Sequence, residues 1–168
     1  MWPWQHAAIG YLIFSMITLA QRREPPDGNE LLVLLIATQL PDLIDKPLAW
    51  SFHLLPSGRS LGHSLLTATL CLAGVTIIAR YYDCSRLVAP LAIGYLTHLI
   101  TDLPLAVLRG EFEQATFILW PLLPAPTYDT EESIVASLQF PELSLWLVGQ
   151  FVLFVGAIGW VVHTHTAN

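Results

Sequence analysis

Apolar residues run along this chain in five long stretches separated by short polar turns, and the lengths of those stretches set the expected architecture. They predict helices over about 4–21, 30–41 continued by 47–55, 61–80, 87–108 and 143–163. At 1.5 Å of rise per residue, roughly 20 residues cross a hydrocarbon core. The third and fifth stretches reach that length, and the fourth reaches it only with Asp102 inside. The first is slightly short but opens on Trp2 and Trp4, rings suited to a membrane interface. The second is too short to span, and Pro41 is expected to end it. Behind it come Asp42-Leu-Ile-Asp-Lys-Pro and an amphipathic piece near 48–55. This reads as a half-helix, a polar elbow and a helix lying along the interface. Irregular backbone at that depth is tolerated only where protein or water satisfies it, so such a break often lines a site. The expected fold is an all-α integral membrane protein of one domain, 1–168. It is a bundle of about five transmembrane segments, the second broken at Pro41, with a loop at 109–142.

Composition strengthens the membrane reading. The chain is 54% hydrophobic and 12% charged, where a soluble domain has about a quarter of its residues charged. Seven basic residues against 13 acidic ones leave no electrostatic footprint for nucleic acid. Cys71, in an apolar run, and Cys84, in a polar loop, suggest neither a disulfide framework nor a zinc knuckle. The N-terminus lacks the basic start and small-residue cleavage site of a signal peptide, so the first apolar run is expected to be retained. The turns at 21–30 and 80–86 carry four of the six arginines and are expected to be cytoplasmic by the positive-inside rule. That orientation puts the N-terminus outside, the C-terminus inside and the acidic stretch 109–142 outward, in a cell (plasma or inner) membrane.

The candidate chemistry lies in the ionisable residues that interrupt apolar sequence. His98 and Asp102 share one helical face at i, i+4. Ionisable groups within a membrane segment are costly and mark sites, pathways or buried pairs. The arginine-based orientation places His6, Asp42, His63, His98 and Asp102 all toward the outer side. Three imidazoles and two carboxylates suit zinc in preference, or manganese, as one ion or as two bridged by a carboxylate. Each residue also has an ordinary alternative. His6 and His63 fit backbone hydrogen bonding near helix starts, Asp42 fits a helix cap, and His98 with Asp102 fits an internal pair. Asp45 and Lys46 fit a solvated turn, and His53 an interfacial position. Arg59, shortly before Gly62-His63-Ser64, suits a phosphate, a carboxylate or a lipid headgroup.

These segments together resemble the family of membrane-bound, metal-dependent hydrolases that includes the YdjM-like, LexA-regulated inner-membrane proteins. The matching elements are His6 to Gly10, Leu40-Pro-Asp-Leu-Ile-Asp45, Arg59 with Gly62-His-Ser64, Gly94-Tyr-Leu-Thr-His-Leu-Ile-Thr-Asp102, and Trp120-Pro121. The similarity covers roughly residues 4–125. Asp42-Leu-Ile-Asp45 replaces the family's frequent Asp-x-Asp, which leaves open whether Asp42 or Asp45 ligates and admits Asp45 as an outer partner. The resemblance implies metal-dependent hydrolysis without naming a substrate. The leading expectation is a membrane-embedded hydrolase with His6, Asp42, His63, His98 and Asp102 on the metal. In it Asp45 or Asp42 is the general base, Arg59 is an anion clamp, and a lipid or lipid-linked phosphoester is the substrate. The competing expectations are an ion, proton or metal transporter, and a scaffold whose metal only ties helices together.

Overall fold

A computed structural model describes residues 2–126 and 145–166. Among them the chain is all-helical, with no strand. Helix α1 spans Pro3–Arg22, α2 Gly28–Ala37, α3 Leu40–Lys46, α4 Leu65–Tyr81, α5 Val88–Thr101 and α6 Leu145–Thr166. A π-helical turn, Pro47–Ser51, prolongs α3, and 3-10 turns cover Leu105–Arg109 and Phe112–Leu119. Residues 127–144, which include the second half of the expected 109–142 loop, lie outside the described residues.

Three boundaries differ from the sequence expectation, each for a local reason. The break after α2 falls at Thr38–Gln39, ahead of Pro41. Pro41 stands in the first turn of α3, where its missing N–H costs nothing and its fixed φ suits a helix start. It begins a helix rather than ending one. Helix α5 stops at Thr101 instead of running to 108. Pro104 lies just beyond and disfavours helical backbone at the residue before it. The third helix starts at Leu65 rather than 61, because the Ser64 hydroxyl accepts from the amides of Leu66 and Thr67 and caps it there. His63 therefore sits on the turn ahead of α4. At the other end of the bundle, Asp27 caps α2 in the same way, accepting from the amides of Asn29 and Glu30.

Helix α5 is the central element, packed against α1, α2 and α4, while α6 packs on α1. The α2–α5 contact is close because Gly94 has no side chain. A Cβ there would lie 2.8 Å from both the Ala37 Cβ and the Leu34 carbonyl oxygen. Gly94→Val should wedge the two helices apart at a cost of about 1–3 kcal/mol. The thermal unfolding midpoint in detergent should fall accordingly. Two small apolar clusters fill the interior, Tyr11, Phe14 and Leu34 on one side of α5, and Ala68, Tyr95 and Leu99 on the other. Polar pairs join α6 to α1: Trp160 donates to Ser15 Oγ at 3.0 Å, Tyr11 meets Thr164 at 3.3 Å, and Gln5 meets Gln150.

The outer faces are apolar and bare. Leu70 and Ile77 on α4 are 75% and 70% exposed, and Phe151 and Val152 on α6 are both 64% exposed. Contiguous apolar surface of this kind marks an interaction with lipid or protein. Among the described residues, one helix, in its Leu147–Thr166 part, is both long and apolar enough to cross a membrane.

Candidate metal centre

Three helix ends and one turn meet at one end of the bundle. His6 lies in the first turn of α1, Asp42 in the first turn of α3, His98 in the last turn of α5, and Asp102 caps α5. The turn ahead of α4 adds His63. All five side chains are buried, the three histidines completely. Asp42, His63, His98 and Asp102 each offer one ligand atom, and these four atoms lie within 4.8 Å of one another.

The hydrogen bonds fix which ring nitrogen of each histidine faces the cluster. His98 Nδ1 lies 2.6 Å from the Thr38 carbonyl oxygen, which only accepts, so Nδ1 carries the hydrogen. His63 Nδ1 lies 2.8 Å from Asp45 Oδ2, and a carboxylate likewise accepts. His6 Nδ1 is 2.8 Å from the Thr101 hydroxyl, whose own hydrogen is directed to the carbonyls of Thr97 and His98. In each neutral imidazole the Nε2 lone pair is therefore turned into the site. His63 Nε2 and His98 Nε2 stand 3.1 Å apart. Two lone pairs at that distance repel unless a proton or a metal ion lies between them.

The carboxylates gather on the same point. His63 Nε2 is 3.6 Å from Asp42 Oδ1 and 3.4 Å from Asp102 Oδ2, and His98 Nε2 is 3.9 Å from each. Ligands about 2.0–2.2 Å from a tetrahedral ion stand roughly 3.3–3.6 Å from one another. The observed separations bracket that value, so this buried His/Asp group could hold a metal ion. The two buried side-chain atoms found without a hydrogen-bond partner among the described residues, His6 Nε2 and Asp42 Oδ1, both belong here. His6 stands outside the set of four. Its ring stacks on His98 with centroids 4.0 Å apart, and its Nε2 lies 3.4 Å from the second oxygen of Asp102.

The neighbouring charges divide into those that orient and those that face outward. Asp45 is fully buried and accepts from the amides of Ser60 (2.7 Å), Gly62 (2.7 Å) and His63 (3.1 Å) as well as from the His63 ring. Both oxygens are engaged and the side chain is sealed from solvent, a position that suits orienting His63 better than accepting a proton from water. It folds the 60–63 turn and orients the His63 ring as a carboxylate–histidine pair, the arrangement found behind metal-ligating histidines. Arg59 lies beside the site with Nε 3.1 Å from Asp102 Oδ2. Lys46 Nζ lies 2.7 Å from Asp42 Oδ2. Phe117 closes the other side of His63, edge-on to the ring with centroids 6.0 Å apart.

The outer partners were the part of the site hardest to read from sequence. Thr38 acts through its carbonyl, which leaves no side-chain signature, and Thr101 through one hydroxyl among many. Lys46 did carry a signal, the i, i+4 spacing from Asp42. His53, at positive φ on the loop after α3, and His163 and His165, at the end of α6, are not members of the cluster.

A family model described as YdjM inner membrane protein matches residues 1–167. No curated protein and no solved structure matches the chain.

Proposed function

The chain belongs to the YdjM inner membrane protein family, and from that premise we propose that it is a membrane-embedded, metal-dependent hydrolase acting on a lipid or lipid-linked phosphoester. The observation that carries the reading is the aim of three imidazole Nε2 lone pairs at two buried carboxylates, with every Nδ1 already committed elsewhere. Asp42, His63, His98 and Asp102 would hold the ion. Two imidazoles among the four donors favour zinc over manganese, which suits oxygen ligands. A divalent ion there supplies Lewis-acid polarisation of an ester oxygen and acidifies water. His6, whose Nε2 lies 3.4 Å from Asp102 Oδ1, is the further residue that would help hold a second ion.

The remaining roles fall to the chain's own groups. Thr38, Asp45 and Thr101 lock the three rings in the ligating tautomer. Of the two carboxylates expected in the proton-accepting role, Asp42 has an oxygen free of hydrogen bonds, and it would serve as base only while that oxygen is off the ion. Arg59 holds an anionic group of the substrate against the cluster. The protein crosses the bilayer about five times, with the cluster in the outer half, the N-terminus outside and the C-terminus cytoplasmic. Arg22, Arg23, Arg80 and Arg86 all stand at helix ends remote from the cluster, as that orientation requires. Leu43, Phe52 and Leu54, exposed on α3 and the loop after it, suit an acyl chain.

Purified protein should contain a divalent ion, found by elemental analysis, and should hydrolyse lipid phosphoesters in a screen that a chelator silences. Well-folded protein that is metal-free and indifferent to chelators would end this reading. A second reading has one specific observation behind it: four buried donors can close a site with no position left for water, as in a structural metal centre. Water-proton relaxation of the manganese-loaded protein separates the two. Exchangeable water on the ion supports hydrolysis, and its absence supports a structural metal.

A further inference from the structure

The two cations nearest the cluster pair with two different ligating carboxylates. Lys46 Nζ sits on Asp42 and Arg59 Nε on Asp102, both through Oδ2. Neither is sealed in: the Lys46 side chain is 27% exposed and that of Arg59 18%, against 0% for the three imidazoles. They come from separate segments, but Trp50 joins them. Lys46 Nζ lies 5.8 Å from the centroid of its indole. The same indole packs over Gly58, where a Cβ would stand 2.8 Å from its Cζ2 atom. The lysine and the arginine loop are thus braced on one aromatic wall.

Charge balance indicates what this arrangement is for. Asp42, Asp45 and Asp102 carry three negative charges and Lys46 and Arg59 two positive ones, so with neutral imidazoles the site is net negative by one. A divalent ion reverses this to net positive by one. It also draws charge from Asp42 and Asp102, which weakens their hold on the two cations. From this we infer that Lys46 and Arg59 together form the seat for a phosphoryl group, one that becomes available when the site fills. The inference rests on the hydrolase reading and adds the substrate's recognition element, with Lys46 as a positioning residue that the clamp by Arg59 alone does not include. Arginine supplies a planar fork for phosphate oxygens and lysine a mobile point charge.

The test uses the full chain in detergent, metal-free or loaded with zinc, and measures equilibrium binding of inorganic phosphate. Zinc should raise the affinity for phosphate. Lys46→Met and Arg59→Gln should each lower it by about ten- to a hundredfold, as expected for a lost charge-assisted hydrogen bond. Both variants should keep or tighten zinc binding, since each loses a competitor for a ligating carboxylate, and Lys46→Arg should restore phosphate binding. A second arm places the chain in phosphatidylcholine nanodiscs with or without phosphatidate. Displacement of phosphate by phosphatidate identifies a lipid headgroup as the occupant, and retention of phosphate identifies a soluble phosphoester. Wild-type phosphate affinity in both zinc-loaded variants overturns the seat and leaves the metal reading standing. Wild-type protein that takes up no zinc overturns the hydrolase reading; the seat then falls as well if metal-free phosphate binding is equal in all variants.

Discussion

Replacing His98 with alanine should cost about two orders of magnitude or more in zinc affinity, read as the shift in competition with a chelator of known strength. Zinc sites built by a folded chain are worth about 10–16 kcal/mol over four ligands, or roughly 3 kcal/mol apiece, and each 1.4 kcal/mol is tenfold. His98 stands at the centre of the cluster, 3.1 Å from His63 Nε2 and 3.9 Å from an oxygen of both Asp42 and Asp102. It is also the face on which His6 stacks. Its removal opens the cavity from which three other side chains take their bearings. His6→Ala is the informative comparison, because His6 stands outside the set of four. One-ion binding predicts a much smaller loss for it, whereas a bridged pair predicts that the second equivalent of metal disappears while the first remains. Zinc affinity unchanged in His98→Ala would remove the metal centre from this end of the bundle.

Asp45→Asn should do more harm than its near-identical shape suggests. Both carboxylate oxygens of Asp45 accept hydrogen bonds, Oδ1 from Gly62 and Oδ2 from Ser60 and both the amide and ring of His63. An asparagine can offer an oxygen on only one side. Its NH2 group then faces a buried amide donor, and an unsatisfied buried donor costs about 1–3 kcal/mol. The turn carrying His63 should loosen, and a neutral amide oxygen should hold the ring's hydrogen on Nδ1 less firmly than the carboxylate does. Losing such an outer partner weakens metal sites by about 10–100-fold. The expected result is a lower unfolding midpoint together with weaker zinc binding. An effect on turnover with both of those unchanged would instead point to a proton-transfer role for Asp45.

Much of this arrangement was legible in the chain itself. Five apolar stretches and a handful of turns define the helices, since helix existence follows from length and polarity. The i, i+4 pair His98 and Asp102 shares a face for geometric reasons alone. Even the meeting of His6, Asp42, His63, His98 and Asp102 at one end follows from alternating helix direction. Boundaries were less legible. Pro41 is an equally good helix stop and first-turn residue by local chemistry, and only the packing of Thr38 under α5 decides between them. Pro104 marks the end of α5 in the sequence, yet the apolar residues beyond it read as more helix.

The sequence alone determined which side chains gather, because burial of charge in an apolar helix end leaves few alternatives to a shared site. Only the tertiary structure decided what each contributes. Asp42 and Asp45 are three residues apart and chemically identical, so no local signal separates a ligand from the group behind it. What separates them is the 60–63 turn. Its amides close on Asp45 and engage both its oxygens, while Asp42 keeps an oxygen turned toward His63. Hydrogen-bond partners brought in from distant segments therefore set the role, and those partnerships exist only once the helices have packed.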